Sequence, residues 1–177
     1  FALAHGAFLY FTVSLFCNSL GFRPSEIGWI ISAFGAGHAF GAVFMGPLSD
    51  HTKRRKPFLF MGFFGPGMVI LAFTQLHGVF LMVLSTLILG LVTSPNSGVV
   101  PALISESAPK MPAAAMGIGK SAEALGLFVG PMVGGILIPH LGFNSTMLLY
   151  AAITIAGSLI FIIEVPEPLS LKTAVKS

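Results

Sequence analysis

The chain has 177 residues, of which 55% are hydrophobic and 8% are charged, and its formal net charge is +3. A soluble domain carries about 25% charged residues, because its core needs a polar surface around it. The composition therefore excludes a soluble globular domain and predicts an all-α integral membrane protein. The basic excess is concentrated in one loop, so it does not indicate nucleic-acid binding. The single cysteine, Cys17, excludes an intrachain disulfide framework and a CxxC metal or redox site, and we expect no cofactor and no metal.

Six apolar segments are long enough to cross a bilayer, which takes roughly 20 residues of helix. In chain order these spans cover about residues 1–22, 27–49, 57–74, 79–105, 112–138 and 145–163. Polar or turn-forming residues separate them, as at 75–78 and 139–144. We expect residues 1–165 to form one six-helix transmembrane unit, followed by a short tail at 166–177. Because the chain opens inside an apolar stretch without Met, we also expect it to be a piece of a longer polypeptide.

The distribution of Lys and Arg supports this arrangement. Six crossings place seven cations on one side of the membrane and Arg23 alone on the other, with Lys120 inside a span. The side that is richer in Lys and Arg is the cytoplasmic one. We therefore expect both ends of the chain and the loop at 50–57 to lie in the cytoplasm, in a protein of the cell membrane.

The loop between the second and third spans, residues 46–57, has the highest density of charge. It contains Gly46, Asp50 and four consecutive cations, among them Arg54 and Arg55. Gly46 would allow close packing where the second span ends, and the cations would hold the turn at the membrane surface. A second interpretation is a charge latch, in which Asp50 pairs with Arg54 or Arg55 and releases it when the helices move.

The fifth span contains a glycine and proline pattern formed by Gly126, Gly130, Pro131, Gly134 and Gly135. Pro131 weakens the backbone hydrogen bonding, so the helix can bend against a neighbour. Tight packing alone also explains the pattern, because small residues one turn apart let helices approach closely. The second span has a similar row of small residues at Ala33, Gly37 and Gly41.

These motifs carry a family resemblance. The loop at 46–57 resembles the signature loop between the second and third helices of each half of the major facilitator superfamily, a large group of secondary transporters. It departs from the commonest form at His51, where Arg is usual, and at Lys53, where Gly is usual. The fifth-span pattern resembles the fifth-helix motif of the proton-coupled drug antiporters in that superfamily.

The resemblance implies half of a twelve-helix transporter, with the six helices arranged as a 3+3 inverted repeat. Segments 41–47 and 126–131 echo each other, as such a repeat would require. Drug antiporters often carry an acid in the first helix and an Arg four residues before a Gly in the fourth. This chain has no acid in its first span and has Thr86 before Gly90, which favours the C-terminal half.

Four polar residues within the spans are candidates for contact with a solute or a coupling ion: Glu123, Lys120, His38 and Asn96. Glu123 lies about 16 Å into the fifth helix, close to the bilayer midplane. Its spacing from Lys120 allows an ion pair on one helix face. Ionisable groups at this depth usually face a cavity or the bundle interior. The pair is either a structural ion pair whose charges cancel or a site that handles a solute or protons. His38 and Asn96 either line the solute path or form hydrogen bonds to neighbouring helices.

We expect transport of a small solute by alternating access, coupled to protons or another ion. Its partners would be the lipid bilayer, the solute, protons and the other six-helix half of the same transporter. A self-contained six-helix channel or scaffold that acts as an oligomer is the alternative. A membrane-embedded enzyme is less favoured, because the sequence has no His-Glu-x-x-His, no Gly-x-Ser-x-Gly and no phosphate-binding loop.

Overall fold

The computed structural model describes residues 11–52, 55–76 and 78–164. Within these ranges the protein is helical and contains no strand. The α-helices of the described ranges are α1 (Val13–Ser19), α2 (Pro24–Thr52), α3 (Lys56–Phe73), α4 (Val79–Thr93), α5 (Pro95–Ser107) and α6 (Pro112–Glu164). The first ten residues of the first predicted span and the predicted tail at 166–177 lie outside the described residues.

The described helices have the length and surface of membrane spans. Four stretches are long and apolar enough to cross a bilayer: Pro24–Thr52, Lys56–Phe73, Val79–Ser107 and Pro112–Phe161. Large apolar side chains point outward, with Trp29 71%, Phe80 77% and Ile163 77% exposed. Such a surface fits lipid better than water, because exposed apolar patches in soluble monomers are small. The predicted all-helical membrane protein is confirmed over these ranges.

The predicted fourth span is divided into two helices. α4 ends at Thr93 and α5 begins at Pro95, with Ser94 between them. Pro95 has no backbone N–H to donate to the preceding turn, and proline is well suited to the first position of a helix. The two helices still form one candidate span, Val79–Ser107.

α6 contains a sharp change of direction. It has 53 residues, and Gly142 within it has a non-helical backbone, with φ 78° and ψ 169°. A Cβ atom at Gly134 would lie 2.5 Å from the hydroxyl of Tyr150. Along a straight helix these two residues would be about 24 Å apart. The segments before and after Gly142 therefore fold back and pack against each other.

Glycines set the close approach of α2 and α4. A Cβ on Gly37 would collide with the carbonyl oxygen of Leu87, and one on Gly90 would collide with that of Phe34. Ala33, Gly37 and Gly41 are all buried on α2, so the small-residue row faces its neighbour as the sequence predicts. Without a hydrophobic drive between helices in lipid, such close backbone packing stabilises the pair.

The apolar core lies at one end of the bundle. Its buried members come from α1, the start of α2, the end of α3, the start of α4 and the part of α6 that follows Gly142, and they include Phe16, Ile30, Phe73, Met82 and Tyr150. The loop at 46–57 joins the other ends of α2 and α3. The charged residues Asp50 and Arg55 of that loop therefore lie away from this core.

Candidate functional site

Three charged residues form an ion cluster where α2, α3 and α5 meet, and we call it the Arg55 cluster. Nη1 of Arg55 donates to Oδ1 of Asp50 and, over 3.2 Å, to the hydroxyl of Ser49. Nη2 of Arg55 donates to Oε1 of Glu106 over 2.8 Å. One guanidinium thus connects the last turn of α2 with the last turn of α5, using the planar fork that distinguishes Arg from Lys.

Burial differs strongly within the Arg55 cluster. The side chain of Arg55 is 11% exposed, that of Glu106 is 27% exposed and that of Asp50 is 66% exposed. Burial disfavours the charge on Arg55, but the hydrogen bonds to Glu106 and Asp50 and their negative charges outweigh it and raise the pKa of Arg55 above its ordinary value. Arg55 is therefore a permanent cation whose strongest described support is the buried partner, Glu106.

The cluster is incompletely hydrogen-bonded. Among the residues that the structure describes, neither Nε of Arg55 nor Oε2 of Glu106 has a hydrogen-bond partner, although both atoms are buried. Unpartnered buried polar atoms are costly. An arrangement with unused donors and acceptors gains free energy from any movement that supplies new partners.

The structure shows contacts for some of the predicted loop residues and not for others. Asp50 and Arg55 are brought together, whereas Arg54 lies outside the described residues. A Cβ atom at Gly46 would meet no described atom within 4 Å, whereas one at Gly98 of α5 would lie 3.9 Å from the Cα of Gly46, so the close packing at Gly46 stays a prediction. Glu106 was missed by the sequence interpretation. The available signal was a lone acid at the end of the fourth span, on the same side of the membrane as the loop.

A cavity of about 560 Å³ opens between α2, α3, α5 and the first part of α6. We call it the central groove. Its polar lining consists of His38, Thr93, Asn96, Ser97, Lys120 and Glu123. Most of its other lining is apolar, including Phe63, Val100, Ile104, Met116 and Leu127. A concave, mainly apolar cavity of this size with a few converging polar groups is typical of small-molecule sites.

Lys120 and Glu123 form an ion pair in the groove. Nζ of Lys120 lies 2.6 Å from Oε2 of Glu123, and the two side chains are 67% and 49% exposed. Among the described lining residues they are the two with full charges. Because they neutralise each other, the groove has no net charge while both are ionised.

The other polar lining groups are largely engaged with the backbone. The hydroxyl of Thr93 donates to the carbonyl of Leu89 over 2.7 Å, and the hydroxyl of Ser97 donates to that of Ser94 over 2.8 Å. Nδ2 of Asn96 donates to the carbonyl of Gly62 over 2.9 Å. This bond ties α5 to α3, and Gly62 has no room for a side chain, since a Cβ there would lie 2.7 Å from Oδ1 of Asn96.

His38 reaches the groove from α2. Its Nδ1 lies 3.5 Å from the hydroxyl oxygen of Thr93, and its ring stacks on Phe34 with 5.6 Å between centroids. All four residues predicted to contact a solute thus line one cavity: Lys120, Glu123, His38 and Asn96. The sequence interpretation named these four but not Thr93 or Ser97 as individual site residues.

The glycine and proline pattern of α6 lies beyond the groove. Gly130 and Gly134 are buried, Gly126 and Pro131 are half-buried, and Gly135 is exposed. The hydroxyl of Tyr150, from the part of α6 that follows Gly142, packs against Gly134. The described contacts at this position are packing contacts.

The groove and the Arg55 cluster are linked through short chain connections. Glu106 lies in the last turn of α5, and α6 begins at Pro112. Glu123 is then about 16 Å further along α6. Within the described ranges no cluster of His, Cys, Asp and Glu is suited to hold a metal ion.

The apolar spans and their lipid-compatible surface define an integral, multi-pass membrane protein. The sequence matches the family model of the Major Facilitator Superfamily over residues 1–177. It is 29% identical over 133 residues to an uncharacterized MFS-type transporter of Methanocaldococcus jannaschii. This alignment covers 75% of the chain and 34% of that relative, so the chain spans about a third of the relative's length. No solved structure matches the chain at a significant level. The chain belongs to the Major Facilitator Superfamily.

Proposed function

We propose that the chain is a six-helix half of an alternating-access secondary transporter, and that the central groove is the part of the solute path that this half contributes. The observation that carries the proposal is the ion pair between Lys120 and Glu123 in the groove. Charged groups inside spans are expensive and mark solute or ion pathways. Transport, and not catalysis, is the activity that this site and the family favour.

The number of crossings belongs to the same proposal. α6 would be about 80 Å long if it were straight, whereas the hydrocarbon core is about 30 Å thick. The reversal at Gly142 supports two crossings within α6. With the first span at 1–22 and the spans of α2, α3 and α4–α5, the chain would have six, arranged as a 3+3 inverted repeat within one half of a twelve-helix protein.

The Arg55 cluster would act as a conformational latch. Arg55 links α2 to α5 at the end of the bundle that the basic loop assigns to the cytoplasm. The unused donor on Arg55 and the unused acceptor on Glu106 support a tie that exchanges partners as the half-bundle moves. Asp50 is mostly exposed and would be the partner released first.

Glu123 would be the coupling residue, in a transporter of the proton-coupled, drug-antiporter-like branch. When Lys120 is engaged elsewhere, an ionised Glu123 loses its counter-charge at the depth of the membrane, which favours uptake of a proton. When the pair re-forms, the proton is released. This cycle would link proton movement to the conformational change.

The proposal predicts that the groove opens alternately to the two sides of the membrane. The full-length protein, with Cys17→Ser and Ser97→Cys, is labelled with an impermeant thiol reagent in sealed vesicles of either orientation. Ser97 is exposed in the groove, so it reports access. Adding Arg55→Gln should change the labelling rates from the two sides in opposite directions. A channel or scaffold predicts rates that rise or fall together, and that result would reject the proposed function.

A further inference from the structure

The chemical class of the solute can be inferred from the hydrogen-bonding state of the groove. This inference rests on the function proposed above. It uses the ion pair of Lys120 and Glu123, the hydroxyls on the opposite wall and the apolar remainder of the lining.

The charges of the groove are balanced before a solute enters. Lys120 and Glu123 neutralise each other at 2.6 Å, yet both remain half-exposed or more to the cavity. A solute with a single positive charge would take Glu123 and leave Lys120 unpaired. A solute with a single negative charge would take Lys120 and leave Glu123 unpaired. A charge left without its partner inside a membrane span is costly.

The hydroxyls on the α4–α5 wall are acceptors. A hydroxyl has one hydrogen to donate and two lone pairs to accept with. The hydrogens of Thr93 and Ser97 are committed to backbone carbonyls, at 2.7 Å and 2.8 Å. The oxygen of Ser97, which is exposed, can still accept from a solute, whereas Thr93 is buried with its hydroxyl against the ring of His38. Together with the carboxylate of Glu123, the Ser97 oxygen favours a donor such as an ammonium group.

The donors of the groove are fewer. Nδ2 of Asn96 already donates one hydrogen to the carbonyl of Gly62, over 2.9 Å. The ammonium of Lys120 has three hydrogens and uses one on Glu123. Among the described lining residues it is the Lys or Arg side chain, and it is the natural partner of a carboxylate.

We propose that the central groove binds a zwitterionic solute, one with an ammonium group and a carboxylate on a compact apolar body. The ammonium group takes Glu123 and the hydroxyl oxygen of Ser97, and the carboxylate takes Lys120. The exchange opens one ion pair and forms two, so no charge is left alone. The apolar body packs on the side of the groove that contains Phe63, Ile104 and Leu127.

The test uses matched probes and the purified full-length protein in nanodiscs. Leucine, phenylalanine and tryptophan are each compared with the amine that lacks the carboxylate and with the acid that lacks the amine. For phenylalanine these are phenethylamine and 3-phenylpropionate. Equilibrium binding should show that at least one zwitterion binds at least about tenfold more tightly than both of its analogues, because a site with paired polar groups rejects a ligand that leaves one unpaired.

Two variants distinguish a change in ligand preference from a loss of binding caused by misfolding. In Lys120→Met the preference should move to the amine, because only the negative charge remains in the groove. In Glu123→Gln it should move to the acid. A misfolded protein would lose all binding and would not invert its preference. Equal binding of the three members of every set, no binding of any member, or the same preference in both variants would overturn the inference.

The outcome is separable from the proposed function. If the Ser97→Cys labelling shows alternating access while no zwitterion is preferred, the protein is a transporter of another solute class. If zwitterions are preferred but labelling from the two sides does not alternate, the solute class stands and the transport cycle is rejected.

Discussion

Nη2 of Arg55 lies 2.8 Å from Oε1 of Glu106, a residue that is 51 positions further along the chain. This contact fixes the start of α3 against the end of α5, and Asp50 adds the end of α2 to the same guanidinium. The three ends move independently only if these bonds break. The contact therefore provides a physical basis for the proposed conformational latch.

Glu106→Gln should lower the stability of the folded bundle. The substitution keeps the size of the side chain but removes the charge from the more buried partner of Arg55. We expect a loss of about 1–3 kcal/mol in the free energy of unfolding, measured as a shift of the unfolding midpoint in detergent. Asp50→Asn is the matched control, since its side chain is 66% exposed, and it should cost less than about 1 kcal/mol. Equal losses in the two variants would show that Glu106 does not dominate the cluster.

Asp50→Asn should affect transport more than stability. If Asp50 is the partner that exchanges during the cycle, its loss slows a conformational step and leaves the solute site intact. We expect a reduced maximal rate of flux with a nearly unchanged solute affinity and normal expression. Flux at the wild-type rate would mean that the loop is only an anchor at the membrane surface.

Gly37→Ala should be destabilising, whereas Gly35→Ala should not. Both glycines lie on α2, but a Cβ at Gly37 would collide with the backbone of Leu87, while one at Gly35 would meet no described atom within 4 Å. We expect Gly37→Ala to cost about 1–3 kcal/mol, as overpacking does. Gly35→Ala should be neutral or stabilising, because alanine has the higher helix propensity.

Thermal unfolding of the two variants, purified in the same detergent, is the measurement. Unchanged melting of Gly37→Ala would contradict the close backbone contact between α2 and α4. A large loss in Gly35→Ala would indicate that this face meets another part of the full-length protein.

The orientation of the chain gives a further prediction. In a Cys17→Ser background, His51→Cys should be labelled by an impermeant reagent from the cytoplasmic side, and Gln75→Cys from the outside. Both positions are exposed and lie at opposite ends of α3. Labelling of position 51 from outside intact cells would reverse the topology that the positive-inside rule predicts.

Features that depend on spacing along one helix could be predicted from the sequence, whereas contacts that depend on how helices pack could not. The apolar spans and the pairing of Lys120 with Glu123 could be predicted from spacing along one helix, because side chains three residues apart share a face. The partner of Asp50 could be limited to Arg54 or Arg55, because these cations follow it in the same short loop. Glu106 could not be identified in this way, since its contact depends on how α5 packs against the start of α3.

The helix boundaries show a similar division. Residues 139–144 contain Pro139 and Gly142, and the departure from helical geometry falls on Gly142, where the positive φ suits glycine. Pro139 is accommodated within α6. The division at Ser94 follows from Pro95, whose missing N–H was visible in the sequence, although one continuous span was predicted. The close packing predicted at Gly46 stays a prediction, because burial of that face depends on which neighbours are present.

The most direct test of the account is a pair of transport assays on the full-length protein in proteoliposomes. One measures solute uptake driven by a proton gradient, and the other measures exchange of labelled for unlabelled solute without a gradient. Glu123→Gln should abolish gradient-driven uptake and, at a solute concentration high enough to offset its weaker binding, retain exchange, because it removes the carboxyl and leaves the conformational cycle. The double variant Lys120→Met/Glu123→Met should also lack gradient-driven uptake. Full gradient-driven uptake in either variant would contradict the assignment of the groove pair as the coupling site.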